Sequence, residues 1–133
     1  MKGVYVLLIS INRDISVQIG SLGILNFERG SYAYVGSAQN NLEKRIARHL
    51  RKVKKKFWHI DYLLNDTRVV VQRVFTREIG KPEECELADR LCRKGSPVLG
   101  FGCSDCKCKS HLFKIRNYEF LKGRMRETMV ESF

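Results

Sequence analysis

The chain has 133 residues, 44% of them hydrophobic and 29% charged, with a net charge of +11 and a pI of about 9.7. That length suits one compact domain with one ordinary core, and the charged content excludes disorder as the default. The positive charge is bunched, which points to a polyanionic partner, nucleic acid before an anionic membrane surface.

The first element is GVYVLLIS, residues 3–10, apolar and β-branched enough for a central strand. The run is too short to span a bilayer, and MKGVYVLLIS carries no small-residue cleavage site. The expectation is a buried strand of a soluble, cytoplasmic protein. Asn12-Arg13-Asp14 makes a turn. ISVQIG (15–20) and ILNFE (24–28) predict two short strands, and SYAYVG (31–36) predicts another after a turn at Gly30. The first 36 residues therefore read as an antiparallel meander.

Asn40 is expected to cap the next helix, with Glu43 three residues on as in a capping box. Leu42, Ile46, Leu50 and Val53 fall on one stripe, which predicts a helix over 41–56 with one buried face. FWHIDYLL (57–64) predicts a second short helix on the same core, and TRVVVQRVFT (67–76) a strand. Pro82 suits the first turn of a helix over 83–94, and Gly95 its end. HLFKI (111–115) predicts a short strand, and the tail from Tyr118 a last helix or a frayed end. No internal repeat or linker interrupts the pattern. The expectation is one α/β domain of the α+β kind, a small antiparallel or mixed sheet flanked by helices. It covers residues 1–118, with a cysteine-containing loop at 100–111 and a C-terminal helix or tail at 119–133.

The helix over 41–56 carries most of the bunched charge. Arg45 and His49 lie one turn apart and border the buried stripe; Lys52 and Lys56 continue that edge. Arg48, Arg51 and Lys55 are expected to point into solvent. Lys44, Arg48, Arg51, Lys52, Lys54, Lys55 and Lys56 form a candidate nucleic-acid surface, the kind that attracts phosphate without reading sequence. A cation at a half-buried edge needs a partner or a purpose. For Arg45 the alternatives are a stack over Tyr5 or Tyr34, an ion pair with Asp61, or a place in a site. Trp58 and Tyr62 read as core or platform residues, and His59 and Asp61 as core residues able to line a cleft.

The five cysteines are odd in number, and Cys103, Cys106 and Cys108 crowd next to His111. Thiolates and imidazole are zinc ligands, and Cys85 or Cys92 could complete a set. The spacing is not that of a standard ribbon or knuckle, so structural zinc, free thiols and a disulfide all stay open.

Several residues in order carry a family resemblance. Gly3-Val4-Tyr5 on the first strand, Tyr34-Val35-Gly36 on a later one, Arg45 on the following helix and Glu84 on a late helix resemble the GIY-YIG nuclease superfamily. YVGSA, RHLRKVKKKFWHIDYLL and SDCKCKSHLF look closer still to a small, mostly archaeal GIY-YIG-like group, whose relatives can be fused to a DNA-repair glycosylase. The resemblance implies a phosphodiesterase using one divalent metal, Mg²⁺ or Mn²⁺, with Zn²⁺ open at the cysteines. It implies Tyr5 as general base or water-orienting hydroxyl, and Tyr34 as a group orienting water or phosphate. Arg45 would hold the phosphate, His49 would carry a proton or touch phosphate, and Glu84 would bind the metal. Glu84 precedes Leu87 and Ala88 by three and four residues, so it shares their buried side, whereas Glu86 points elsewhere. A phenol acting as a base at neutral pH would need nearby cations, which Arg45, His49 and a metal would supply. Two departures stand out. Twenty-eight residues separate Tyr5 from Tyr34, room that the ISVQIG/ILNFE hairpin fills, and one extra residue lies between Gly36 and Arg45, which Asn40-Asn41 could absorb.

Three readings follow, the last of them a zinc-stabilised interaction protein. The first is a metal-dependent endonuclease acting on nucleic acid, DNA favoured, in repair or recombination. The alternative is a binding module that kept the fold and lost the chemistry, with or without zinc. Specificity would come from DNA shape, a homodimer or a DNA-repair partner protein. Membrane binding fits poorly, because the basic helix lacks a large exposed apolar face with aromatics.

Overall fold

The computed structural model describes residues 3–52, 55–56, 58–78, 82–102 and 110–133. The central strand is β1 (Gly3–Ile11), apolar on both faces and buried along almost all of its length. β2 (Ile15–Gln18) and β3 (Ile24–Phe27) form a separate hairpin. β4 (Gly30–Ala38) returns to pair antiparallel with β1, setting Tyr5 opposite Gly36 and Leu7 opposite Tyr34. The start of the chain is thus not one meander. The hairpin is a side excursion, and β1 and β4 pair across it because both are apolar on two faces and need covering on both.

Helix α1 (Leu42–Leu50) and helix α2 (His59–Leu64) follow, then β5 (Val69–Arg77), which pairs antiparallel with the other edge of β1. Helix α3 (Pro82–Lys94) precedes the two-residue β6 (Ser96–Pro97) and β7 (Leu112–Ile115). The tail holds a short α4 (Glu119–Lys122) and a strand absent from the sequence reading, β8 (Arg126–Thr128), which pairs with β5. The main sheet has the order β6-β7-β4-β1-β5-β8, and the fold is mixed α+β, as expected. Among the described residues, no helix is long and apolar enough to cross a membrane.

The alternation of β1 builds two cores. Tyr5, Leu7, Ile9 and Ile11 pack with Leu42, Ile46, Ile60 and Leu63 under α1, α2 and the hairpin. Val4, Val6 and Leu8 pack with Leu87, Ala88 and Leu91 of α3 on the opposite face. Leu42 and Ile46 are fully buried, and each such side chain stabilises the fold by about 1.5–3 kcal/mol.

α1 differs from its expected span at both ends. Asn41, not Asn40, is the cap: its side chain accepts from Lys44 N at 3.2 Å, and its φ of 52° is the left-handed region that Asn tolerates. At the other end the helix stops at Leu50, and Arg51 is extended. Continuing to 56 would stack Arg48, Lys52 and Lys56, and also Arg51 and Lys55, at like-charge i,i+4 spacing. Lys52 instead donates its ammonium to the carbonyls of Leu64, Asp66 and Val69, where α2 ends and β5 begins.

Candidate functional site

The site grows from the β1–β4 register. A Cβ on Gly36 would collide with the Tyr5 ring, so glycine there makes the room in which the phenol lies. Tyr34, two residues before Gly36, points to the same face, with its ring centroid 6.5 Å from that of Tyr5. α1 brings His49 over both rings. Its Nε2 lies 2.7 Å from the Tyr5 hydroxyl, and its centroid lies 6.0 Å from that of Tyr34.

Behind His49 stands Asp61, fully buried on α2. His49 Nδ1 lies 3.9 Å from Asp61 Oδ1. At that distance the carboxylate acts through its charge rather than a hydrogen bond, and that charge favours a proton on Nδ1 with Nε2 turned to the Tyr5 hydroxyl. Asp61 also accepts two bonds of 3.0 Å from the Arg48 guanidinium and one of 2.9 Å from Trp58 N. Buried charges persist when paired and hydrogen-bonded in this way.

Arg48 therefore does not face solvent as expected. It turns inward because Asp61 is the only acidic residue between Glu43 and Asp66. Its second donor group reaches the Lys55 carbonyl at 2.8 Å. Arg45 neither stacks on a tyrosine nor pairs with Asp61. Its Nη1 donates to the Ser37 carbonyl at 2.7 Å, and its guanidinium lies 5.0 Å from the centre of the Trp58 ring. Among the described residues Arg45 gives one donor to the protein, which leaves most of its fork for an oxyanion.

Ser37 links the two sides of the sheet. Its carbonyl accepts from Arg45, and its hydroxyl donates to Glu84 Oε1 at 2.5 Å. Glu84 Oε2 lies 3.1 Å from Nδ1 of the buried His111. Glu84 thus faces the sheet, whereas Glu86 pairs with Arg90 at the surface. The Arg45 and Glu84 charges both act on the Tyr5 phenol, Arg45 lowering its pKa and Glu84 raising it.

Burial outweighs both. It pushes the Tyr5 phenol well above its ordinary range, with the Tyr34 hydroxyl adding to the rise. Arg45 lowers the phenol's pKa as a nearby cation should, but not enough to offset burial under α1, so Tyr5 is a neutral hydroxyl at physiological pH.

The basic surface divides. Lys44, Arg51, Lys55 and Lys56 are exposed, and the Lys56 ammonium lies 5.2 Å from the Tyr62 ring centre. Lys52 is tied to backbone carbonyls, and burial lowers its pKa, so it is a pin between α2 and β5 rather than a free phosphate contact. Lys54 lies outside the described residues, as do Cys103, Cys106 and Cys108. The fourth candidate zinc ligand, His111, sits against Glu84, while Cys85 and Cys92 are free, half-buried thiols on α3.

Among the described residues, no group of three or more His, Cys, Asp or Glu is placed to hold a metal. A lone carboxylate fits Mg²⁺ or Mn²⁺ only if waters and substrate oxygens fill most of the coordination shell, which is how Mg²⁺ is commonly held beside phosphates. Glu84, with one oxygen on the Ser37 hydroxyl and the other near the His111 imidazole, is the carboxylate that would do so.

The sequence reading missed Ser37 and gave Asp61 and Arg48 lesser parts. The signal for Asp61 was present, as one carboxylate beside Ile60, Leu63 and Leu64 after a run of cations. Ser37 gave no signal, since its role depends on what two opposite faces bring to it.

A family model described as Domain of unknown function DUF123 matches residues 4–132. No curated protein and no solved structure matches the chain.

Proposed function

The chain belongs to the DUF123 family, and we propose that it is a metal-dependent phosphodiesterase of GIY-YIG type that cuts nucleic acid, with DNA favoured. The observation that carries this reading is the convergence on Ser37. An arginine with donors to spare and a half-buried carboxylate meet there from opposite faces of the sheet, beside a buried Tyr–His pair. Phosphodiester hydrolysis needs these parts: charge stabilisation on the phosphoryl oxygens, an anchored cation and a place for a proton.

Arg45 holds the non-bridging oxygens of the phosphate and stabilises their developing charge. The Tyr5 hydroxyl, neutral and hydrogen-bonded, orients the attacking water and passes its proton to His49. Asp61 steadies the imidazolium that results, and Tyr34 closes the far side of the water's position. A divalent cation at Glu84, when bound, supplies Lewis-acid stabilisation of the phosphate and leaving oxygen. Exposed Lys44 on α1 and Arg51, Lys55 and Lys56 beyond its end draw in the polyanion.

One observation favours the second reading, a binding module without chemistry. Glu84 and Tyr5 both have protein partners, so each must exchange or share them to act. Incubation of the protein with supercoiled plasmid and branched duplexes in Mg²⁺ or Mn²⁺ separates the two. The nuclease reading expects nicked product from wild type and none from Arg45→Ala or Glu84→Gln. Salt-sensitive binding without product supports the module.

A further inference from the structure

Trp58 is the only tryptophan in the chain, and it lies beside Arg45 and His49 of the site. The guanidinium carbons of Arg45 and Arg48 lie 5.0 and 4.5 Å from its ring centre, and the His49 centroid lies 5.7 Å away. Its backbone N–H is held by Asp61. The indole packs against Arg45, Arg48 and His49, yet it stays 38% exposed. A single exposed aromatic residue is ordinary on a protein surface. One packed against the arginine that has donors left for an oxyanion is not.

In a fully paired duplex each base is sandwiched between its neighbours. An indole 5 Å from a phosphate-holding guanidinium cannot reach a base face there without prising the stack apart. An unpaired nucleotide offers its face freely, and base–aromatic stacking is tolerant of sequence. The neighbouring guanidinia add cationic character to the same platform. We infer that Trp58 is a stacking platform for an unpaired nucleobase adjoining the phosphate at Arg45, so that the site prefers strands single or splayed at the reacting phosphodiester. The inference rests on the phosphodiester reading of the site.

The test is binding with a chelator in place of divalent cation, so that nothing is cut. Labelled single-stranded, flapped and fully paired oligonucleotides are titrated by anisotropy, while the lone tryptophan reports its own environment by fluorescence. The platform predicts quenching by single-stranded and flapped oligonucleotides and little change with the paired duplex at saturation. Trp58→Ala should weaken the first two by about ten- to a hundredfold and leave the duplex nearly unchanged, with Trp58→Phe between, which corresponds to the roughly 1–3 kcal/mol of one stacked base. Saturating single-strand binding without quenching overturns the inference, and that measurement needs no variant. Equal weakening of all three ligands by Trp58→Ala also overturns it, since Trp58 would then only buttress Arg45 and Arg48. Quenching without cleavage in Mg²⁺ would sink the nuclease reading and leave the platform standing. Cleavage without quenching would do the reverse, and failure to bind any nucleic acid would sink both.

Discussion

The Tyr5 hydroxyl and His49 Nε2 lie 2.7 Å apart inside the fold, on elements 44 residues distant in sequence. Burial keeps the phenol neutral, and in the proposed reaction the imidazole is the group that accepts the proton. Tyr5→Phe and His49→Ala should each slow cleavage by about 10²–10⁴-fold, the usual range for a lost general acid–base group. Because the two residues act as one path, the double variant should be no slower than the worse single one. Single-turnover rates of the four proteins check this. Additive losses would mean that the two residues act separately.

Asp61 makes a stability prediction that needs no substrate. It is fully buried and pairs with Arg48 through two hydrogen bonds. Removing one partner of a buried pair leaves a charge without its counter-ion, so Arg48→Ala should cost about 3–5 kcal/mol in urea unfolding. Lys44→Ala, on the exposed side of the same helix, should change stability by less than about 0.5 kcal/mol. Its effect should instead be weaker DNA binding and a shallower dependence of affinity on salt.

Gly36→Ala tests the steric basis of the site. The added methyl meets the Tyr5 ring, which is hemmed in by Tyr34 and His49. Overpacking of this kind costs about 1–3 kcal/mol. The variant should also lose cleavage, because the hydroxyl is pushed off His49. Thermal unfolding and nicking measured together should fall together.

Acid should loosen the wall behind Tyr34. His59 Nδ1 accepts from Gly102 N at 2.9 Å, and burial lowers the His59 pKa from its ordinary 6.5. A lowered folded-state pKa means that the unfolded chain takes up the proton first. Stability is therefore intact above about pH 6.5 and lost as pH falls from there through the folded-state value. Thermal midpoints between pH 8 and pH 5 should decline below 6.5, and His59→Gln should flatten that limb. An unchanged slope in the variant would assign the acid loss to other groups.

Much of the fold was legible because its signals are local. β1, β4 and β5 follow from apolar runs, and α1 and α3 from the period of Leu42/Ile46 and Leu87/Leu91. What escaped the sequence reading depends on distant partners. α1 stops at Leu50 because Lys52 finds the carbonyls at the end of α2, and β8 exists because β5 has an open edge. The same division runs through the candidate site. Tyr5, Tyr34, Arg45, His49 and Glu84 carry pattern. Helix geometry alone points Arg48 into solvent, whereas its direction is set by Asp61, thirteen residues on. Glu84 and His111, 27 residues apart, meet only once β7 lies beside β4.

Plasmid nicking tests the central claim most directly, with DNA binding by the same protein samples followed in parallel. Wild type in Mg²⁺ or Mn²⁺ should convert supercoiled plasmid to the nicked form. Glu84→Gln should bind but not cut, and Arg45→Ala should lose cutting by about 10²–10³-fold, the loss typical of one charge-stabilising donor. Wild type that binds tightly and leaves plasmid and branched duplexes intact, or cutting that survives both substitutions, would contradict the account.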